Sequence, residues 1–553
     1  MFLLNLLCSL SYAEPVPAGQ KIERAVLVDI PPQGFDSLEG VLPSLIPSPI
    51  ELPPFSEESS ACWLGGYWYK FEFKDALADI EVTSVELSPD LGHMDLQMEL
   101  SITLNDPADR FEFNYWLGCI KYSCKGYVEA FPTTVLGEFS ISFSDGDGDG
   151  VMESDVVFSE DLSIDIGLTG DHIQLEECPL DFLEDVFQFF GGSLYDIVLN
   201  AIGIDSIIND AIPELEQTIE EALNQSNVDE TVDLSGVALR FRLEPSEVIL
   251  QPEGMRMVFN ASSMVEEPAQ CIQDYDPGYS KGTDNPSISL EEFPPSYDFG
   301  AVAVDDFVNQ TLYAIWSGGA LCQRIDQDTF ALDTSILNLL TGDRFVDLFP
   351  ETRSMVLNID PQQPPTLNLE RSADIGIDIE DMGLEFYAEL DFRSSRVLAI
   401  QLDTPVDINL GLDNTTGALD LAIDIDTQQA TAQVYFNEFY PQDNAQIEDS
   451  FAGQLDTILG LVDIDGLLGD VNLTAPAIAL GDGAVGLQNI DFESTGAQLE
   501  DLGIYANLGP VSYSSGCGSE EEGCGGGCNS IGGGLGRSLL GVLIILGALR
   551  RRM

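Results

Sequence analysis

At 553 residues and 44% hydrophobic content, the chain has room for roughly two to four domains with sizeable cores. Its 95 acidic side chains stand against 21 basic ones, a formal net charge of −74. That balance excludes nucleic acid as a partner, since Lys and Arg are needed to displace its counterions, and it disfavours anionic lipid surfaces. Plentiful aromatic and β-branched residues exclude a disordered acidic chain, and the charge suits solubility in a salty or calcium-containing exterior.

Met1 to Ala13 reads as an export signal: Phe2 to Leu10 is mostly apolar, and Ser11 and Ala13 are small residues before a cleavage point at Glu14. Leu6 and Leu7 are too large to precede a lipidated Cys8. Export makes Cys62, Cys119, Cys124, Cys178, Cys271 and Cys322 candidates for three disulfides, with fifteen possible connectivities. No C-x-x-C pair with a ligand histidine supports zinc among them.

Lys21 to Glu51 reads as a proline-punctuated introduction, followed by an aromatic cluster from Trp63 to Phe73 that suits core or rim. From Asp95 to Leu104, Leu96, Met98, Leu100, Ile102 and Leu104 alternate with polar residues, which predicts a half-buried strand. Similar alternation marks Phe139 to Phe143 and Leu162 to Leu168.

Between these two lies Asp145-Gly-Asp147-Gly-Asp149-Gly150-Val151-Met152-Glu153. Carboxylates at positions 1, 3, 5 and 9, glycine at 6 and a carbonyl from Val151 can converge on one hard cation, so calcium is the expected cofactor. The bidentate glutamate of an EF-hand is missing, because Val156 holds position 12, and the flanks are strands. The site expected is therefore a loop between strands.

From about Gly192 to Gln225, apolar residues recur at spacings of three and four, which predicts one long amphipathic helix kinked at Pro213. Leu194, Val198, Ala201, Ile208, Ala211 and Leu215 on its stripe are the candidate lining of an apolar cavity. Strands return over Val232 to Val258, and residues 261–300 form the expected linker. A second helix should open at Asp305 or Asp306 and stop at Gly318-Gly319. Strands follow at Arg353 to Asn358, Ile375 to Ile379 and Leu419 to Ile425. A third helix from about Ala445 carries Ile447, Phe451, Leu455, Ile458, Leu459 and Val462 on one face, and strands near Ile478 to Leu480 and Val485 to Phe492 follow it. The class is α+β: two elongated modules, at 21–260 and 301–507, each a curved antiparallel sheet wrapped on a long amphipathic helix.

This order resembles the bactericidal/permeability-increasing protein family, the tubular lipid-binding superfamily. Its local carriers are the 192–225 helix, Pro294-Pro295 leading into Phe307 to Tyr313, and Leu348-Phe349-Pro350 leading to Pro364 to Leu367. The resemblance implies acyl chains held in apolar tunnels, hence a lipid or other apolar small molecule as partner. The charge here is opposite to that of the family's cationic endotoxin-binding member, and six body cysteines exceed its single disulfide.

Residues 508–537 are a Gly-, Cys- and Glu-rich tether, and 538–553 an apolar stretch ending in Arg550, Arg551 and Arg552. Twelve apolar residues fall short of the roughly 20 that span a bilayer. Cysteine, apolar helix and terminal arginines together resemble MYXO-CTERM-type sorting tags, which implies processing or lipidation near Cys528 or Cys524 and anchoring at a bacterial cell surface. A plain tail anchor is the alternative, and either places the body outside. The two histidines, His93 and His172, have no nucleophile motif beside them, so no enzyme is expected. The expectation is a surface-anchored, calcium-binding, non-enzymatic holder of an apolar ligand; the alternative is a structural or adhesive surface protein without one.

Overall fold

The computed structural model describes residues 16–17, 19–39, 49–51, 55–58, 61–62, 66–67, 69–117, 119–146, 152–159, 162–176, 213, 216–217, 219–220, 223–224, 226–234, 237–272, 278–279, 293–326, 332–371, 373–413, 419–461, 477–480, 483–496 and 501–511. Three antiparallel sheets dominate. A ten-stranded sheet takes its strands from residues 50–176, and a seven-stranded sheet from residues 323–436. The eight-stranded sheet draws its strands from both ends and the middle of the chain. Its order is Val228–Leu234, Val237–Gln251, Gly254–Val265, Ile22–Ile30, Phe299–Ala303, Asp501–Val511, Gly483–Thr495 and Ala477–Leu480. Both sides of the 261–300 segment thus contribute to one sheet.

Ile22–Ile30 corrects the reading of Lys21 to Glu51 as introductory. Ala25, Val26, Leu27 and Val28 are all essentially inaccessible. Val26 and Val28 join the main core, while Leu27 packs on the other face with Val258 and Val302. A strand covered on both faces shows a continuous apolar run in place of alternation, and that removes the pattern a half-buried strand would show.

The second correction is Ile120–Ser144, 25 residues long, of which only Phe139 to Phe143 was anticipated. Pro132 sits inside the strand, opposite Ser101, just past a bulge between Val128 and Phe131. This strand changes partners along its length. It pairs with Phe111–Leu117 and Ile173–Glu176 early, and with His93–Leu104, Ser163–Ile166 and Glu153–Phe158 further on.

The second predicted helix is present as Asp305–Ser317, and every residue of it is buried. Burial of its polar side chains is tolerated because each of those now named has a partner. Asn309 Oδ1 accepts from Leu367 N at 2.7 Å; Gln310 Oε1 accepts from Ser263 N at 2.8 Å, while its amide donates to Gln20 O. Trp316 Nε1 donates to Pro361 O at 3.0 Å. The helix is a wedge bonded to segments far apart in sequence. The third runs Asn444–Leu461, with Ile447, Phe451 and Leu455 buried as expected. A short helix, Thr334–Leu340, capped by Asp333, was not anticipated. Helices Asp305–Ser317 and Asn444–Leu461 and the sheets share one continuous apolar cluster, from Val85, Leu96 and Phe158 through Phe241 and Phe307 to Phe386, Leu398 and Phe451. No helix among the described residues is long and apolar enough to cross a membrane.

Cys271 and Cys322 form a disulfide, and Cys119 and Cys124 are also disulfide-bonded. Cys62 lies in the short strand Ala61–Cys62; Cys178 lies outside the described residues.

Candidate functional site

Described helical residues near the end of the long predicted helix lie along one edge strand of the ten-stranded sheet. Pro213, Glu216, Gln217, Ile219, Glu220, Leu223 and Asn224 are helical; Leu194, Val198, Ala201, Ile208, Ala211 and Leu215 lie outside the described residues. Ile219 and Leu223 pack on the main core. The neighbouring side chains do something the apolar stripe does not announce. Strand Glu153–Phe158 pairs with Ile120–Ser144 on one side, which leaves alternate backbone N–H groups on its other edge. Asn224 Oδ1 accepts from Ser154 N at 2.6 Å, Glu220 Oε1 from Val156 N at 3.0 Å and Glu216 Oε1 from Phe158 N at 3.1 Å.

The match has a geometric cause. Four residues of helix rise about 6 Å, and two residues of strand about 6.6 Å. Residues 216, 220 and 224 therefore stay in step with 158, 156 and 154. Ser154 Oγ adds a bond to the Glu220 carbonyl at 3.1 Å. These helical residues are zipped along the strand edge by two carboxylates and one amide oxygen, while Ile219 and Leu223 face the core.

The same strand leaves the acidic loop. Pairing of Ser144 with Glu153 sets Asp145 and Glu153 at the two ends of one hairpin stem, and both are exposed. Strands flank the loop, as the sequence required; Asp147, Asp149 and Val151 lie outside the described residues. So do Cys524, Cys528 and the whole tail.

A second constellation was missed at the sequence level. On the outer face of the same sheet, Glu86, Ser88, Asp95, Gln97, Leu136, Glu138 and Ser163 line a groove of about 370 Å³. At its end the two-residue turn Leu91-Gly92 joins Leu77–Asp90 to His93–Leu104, with Gly92 at φ +80°, a conformation few residues but glycine adopt. The turn pairs Asp90 with His93 directly, and the strand period puts Asp95 on their face. Register with Ile120–Ser144 then sets Glu138 opposite Asp95. His93 Nε2 lies 3.3 Å from Asp95 Oδ1 and 4.0 Å from Glu138 Oε2, and Nδ1 lies 3.2 Å from the Leu91 carbonyl. The spacing Asp90-x-x-His93-x-Asp95 was visible in the sequence. Glu138, brought in by sheet register, was not. His172 sits elsewhere: its Nδ1 accepts from Thr169 N at 2.9 Å.

A third polar cluster, on the seven-stranded sheet, is structural in character. Burial pushes the Glu385 carboxyl up, but hydrogen bonds from Tyr387 and Arg396 outweigh it and hold the group below its ordinary value. Burial beside that carboxylate pushes the Tyr435 phenol up to about 12. Arg396 also lies over the Phe436 ring, 4.1 Å from its centroid.

No family model matches the chain, and no curated protein matches it. Among solved structures, lipopolysaccharide binding protein aligns over 88% of this chain and 99% of its own, with 14% identity and a TM-score of 0.45. P47 of Clostridium botulinum E1 aligns over 89% and 100%, with 8% identity and a TM-score of 0.25. Takeout 1 of Epiphyas postvittana aligns over 31% and 76%, with 14% identity and a TM-score of 0.17. Likenesses this loose assign no ligand, and a functional reading has to rest on this chain's own residues.

Proposed function

We propose that this protein holds an apolar, lipid-like ligand between the helix of residues 192–225 and the sheet it lies against, and that it acts by binding and not by catalysis. The observation that carries the reading is the edge zipper. Glu216, Glu220 and Asn224 fix the helix along one strand edge, so its apolar side faces a sheet whose inner positions are Val85, Met94, Leu96, Phe139, Val156 and Phe158. Helix and sheet together form a wall with an apolar lining and a polar seam. The competing reading, a packed structural surface protein, draws support from the unbroken core of the described residues.

Enlargement of the helix face separates the two. Ala201→Trp or Ala211→Trp is expected to displace lipid that co-purifies with the wild type, read by mass spectrometry of an organic extract, and to leave the melting temperature nearly unchanged. A loss of about 1–3 kcal/mol, the usual effect of overpacking, with no ligand in the wild-type extract would overturn the binding reading in favour of the packed one.

In the same proposal Asp145, Asp147, Asp149 and Glu153, with the Val151 carbonyl, bind calcium and stiffen the hairpin on which the zipper depends. Ligands drawn from one short loop give a modest affinity, of order 10⁻⁴ to 10⁻³ M, suited to an exterior setting. Calcium should raise the melting temperature of the wild type and not of Asp147→Ala/Asp149→Ala; equal shifts in both would assign the effect to general charge screening. The export signal and the tail with Cys524 and Cys528 complete the proposal, holding the body at the outside of the envelope.

A further inference from the structure

We propose that Asp90, His93 and Asp95 form a second cation site, on the outer sheet face and separate from the acidic loop, selective for a divalent transition metal of the zinc kind. One ligand atom from each of the three lies within 4.8 Å of the others, so that small side-chain rotations would bring all three onto one ion.

The imidazole supplies the reason for a cation there. A carbonyl oxygen can only accept, so the contact between His93 Nδ1 and Leu91 O places the ring proton on Nδ1. Nε2 of the neutral ring is then a lone pair. It points at Asp95 Oδ1, 3.3 Å away, with Glu138 Oε2 behind at 4.0 Å. Three acceptors facing one another need a positive charge between them. A second ring proton is one candidate, and a metal ion is the other. The backbone-tethered Nδ1–H is the arrangement that orients metal-binding histidines and makes Nε2 the better donor. Two hard carboxylate oxygens alone would suit calcium or magnesium; the imidazole nitrogen shifts the preference to zinc and its neighbours.

The setting is built for the purpose. The turn Leu91-Gly92 fixes Asp90 against His93, and two strand registers fix Asp95 and Glu138, so the donors ride on sheet backbone. Asp95 and Glu138 also line the groove of about 370 Å³ beside them. Coordination positions not taken by the protein therefore open to solvent in that groove, where water or an anionic group of a bound molecule completes the sphere. The site does not depend on the apolar interior, and it stands whether or not a lipid is held there.

The test is a zinc titration of the full-length protein in millimolar calcium, which occupies the acidic loop and suppresses diffuse binding to the acidic surface. Isothermal calorimetry and native mass spectrometry should both report one saturable zinc equivalent. His93→Gln and, independently, Asp95→Asn should abolish it with circular dichroism unchanged, whereas His172→Gln and Asp147→Ala/Asp149→Ala should retain it. If zinc uptake persists unchanged in His93→Gln, the binding is diffuse and the assignment fails. It fails equally if no saturable zinc event occurs in the wild type.

Discussion

Replacing Arg256 by methionine is expected to destabilise the protein by about 3–5 kcal/mol, the scale for breaking one side of a buried ion pair. The pair is formed across adjacent strands of the eight-stranded sheet: Arg256 Nε and Nη2 each donate to one oxygen of Asp29 at 2.6 Å. Asp29 is 2% exposed and Arg256 5%. The next strand contributes Gly300 opposite Asp29, then Tyr505 opposite Gly300. A side chain at Gly300 would meet the Phe293 ring at 2.4 Å, so glycine is what lets Phe293 and Tyr505 meet edge to face over this row, 5.6 Å between ring centroids. Water is shut out, and the carboxylate left by Arg256→Met has no other route to compensation. Adding Asp29→Leu should restore most of the lost stability, because removing both charges also removes the desolvation penalty. Urea midpoints of the single and double variants are the measurement; a single variant as stable as wild type would mean the pair is solvated in solution.

The triple substitution Glu216→Ala, Glu220→Ala and Asn224→Ala is expected to be nearly as damaging, but locally. It strips partners from the N–H groups of Ser154, Val156 and Phe158, each worth about 1–3 kcal/mol where water cannot replace the lost acceptor. Ile219 and Leu223 remain, so the helix keeps some hold on the core. The expected signature is fast amide exchange confined to residues 153–158 and their partners 139–144, with protection kept in the 299–303 and 501–511 strands. Glu216→Gln with Glu220→Gln should behave much better, since an amide oxygen still accepts. Uniform loss of protection across all three sheets would show that the zipper supports the whole fold and not one wall.

Much of the architecture was legible wherever one face of an element meets water. Asp95 to Leu104 alternates because its outer residues line a wet groove, and Ile447, Phe451 and Leu455 recur at helical spacing because the far side of that helix is polar. Legibility failed where solvent was excluded from both sides. Ile22–Ile30 carries no alternation over Ala25 to Val28, and its buried charge, Asp29, looks like a surface residue until Arg256 is brought against it from 227 positions away. In the candidate sites, local chemistry could be read and register could not. Asp145 to Glu153 and Asp90 to Asp95 are contiguous in sequence, while the meetings of Glu138 with His93 and of Glu220 with Val156 exist only once the sheet is aligned.

The position of Ile22–Ile30 also governs when the molecule can become itself. This strand precedes both of its neighbours, Gly254–Val265 and Phe299–Ala303, by more than 200 residues. The strand beyond, Asp501–Val511, comes some 200 residues later still. A growing chain therefore carries this strand, with its apolar run from Ala25 to Val28, through more than 200 residues of synthesis with no partner to close on. Such long-range pairing makes folding slow and exposes the chain to mispairing meanwhile. It also means the early chain cannot lock into its final shape until the later strands of the eight-stranded sheet arrive, so the topology sets the order in which the molecule closes.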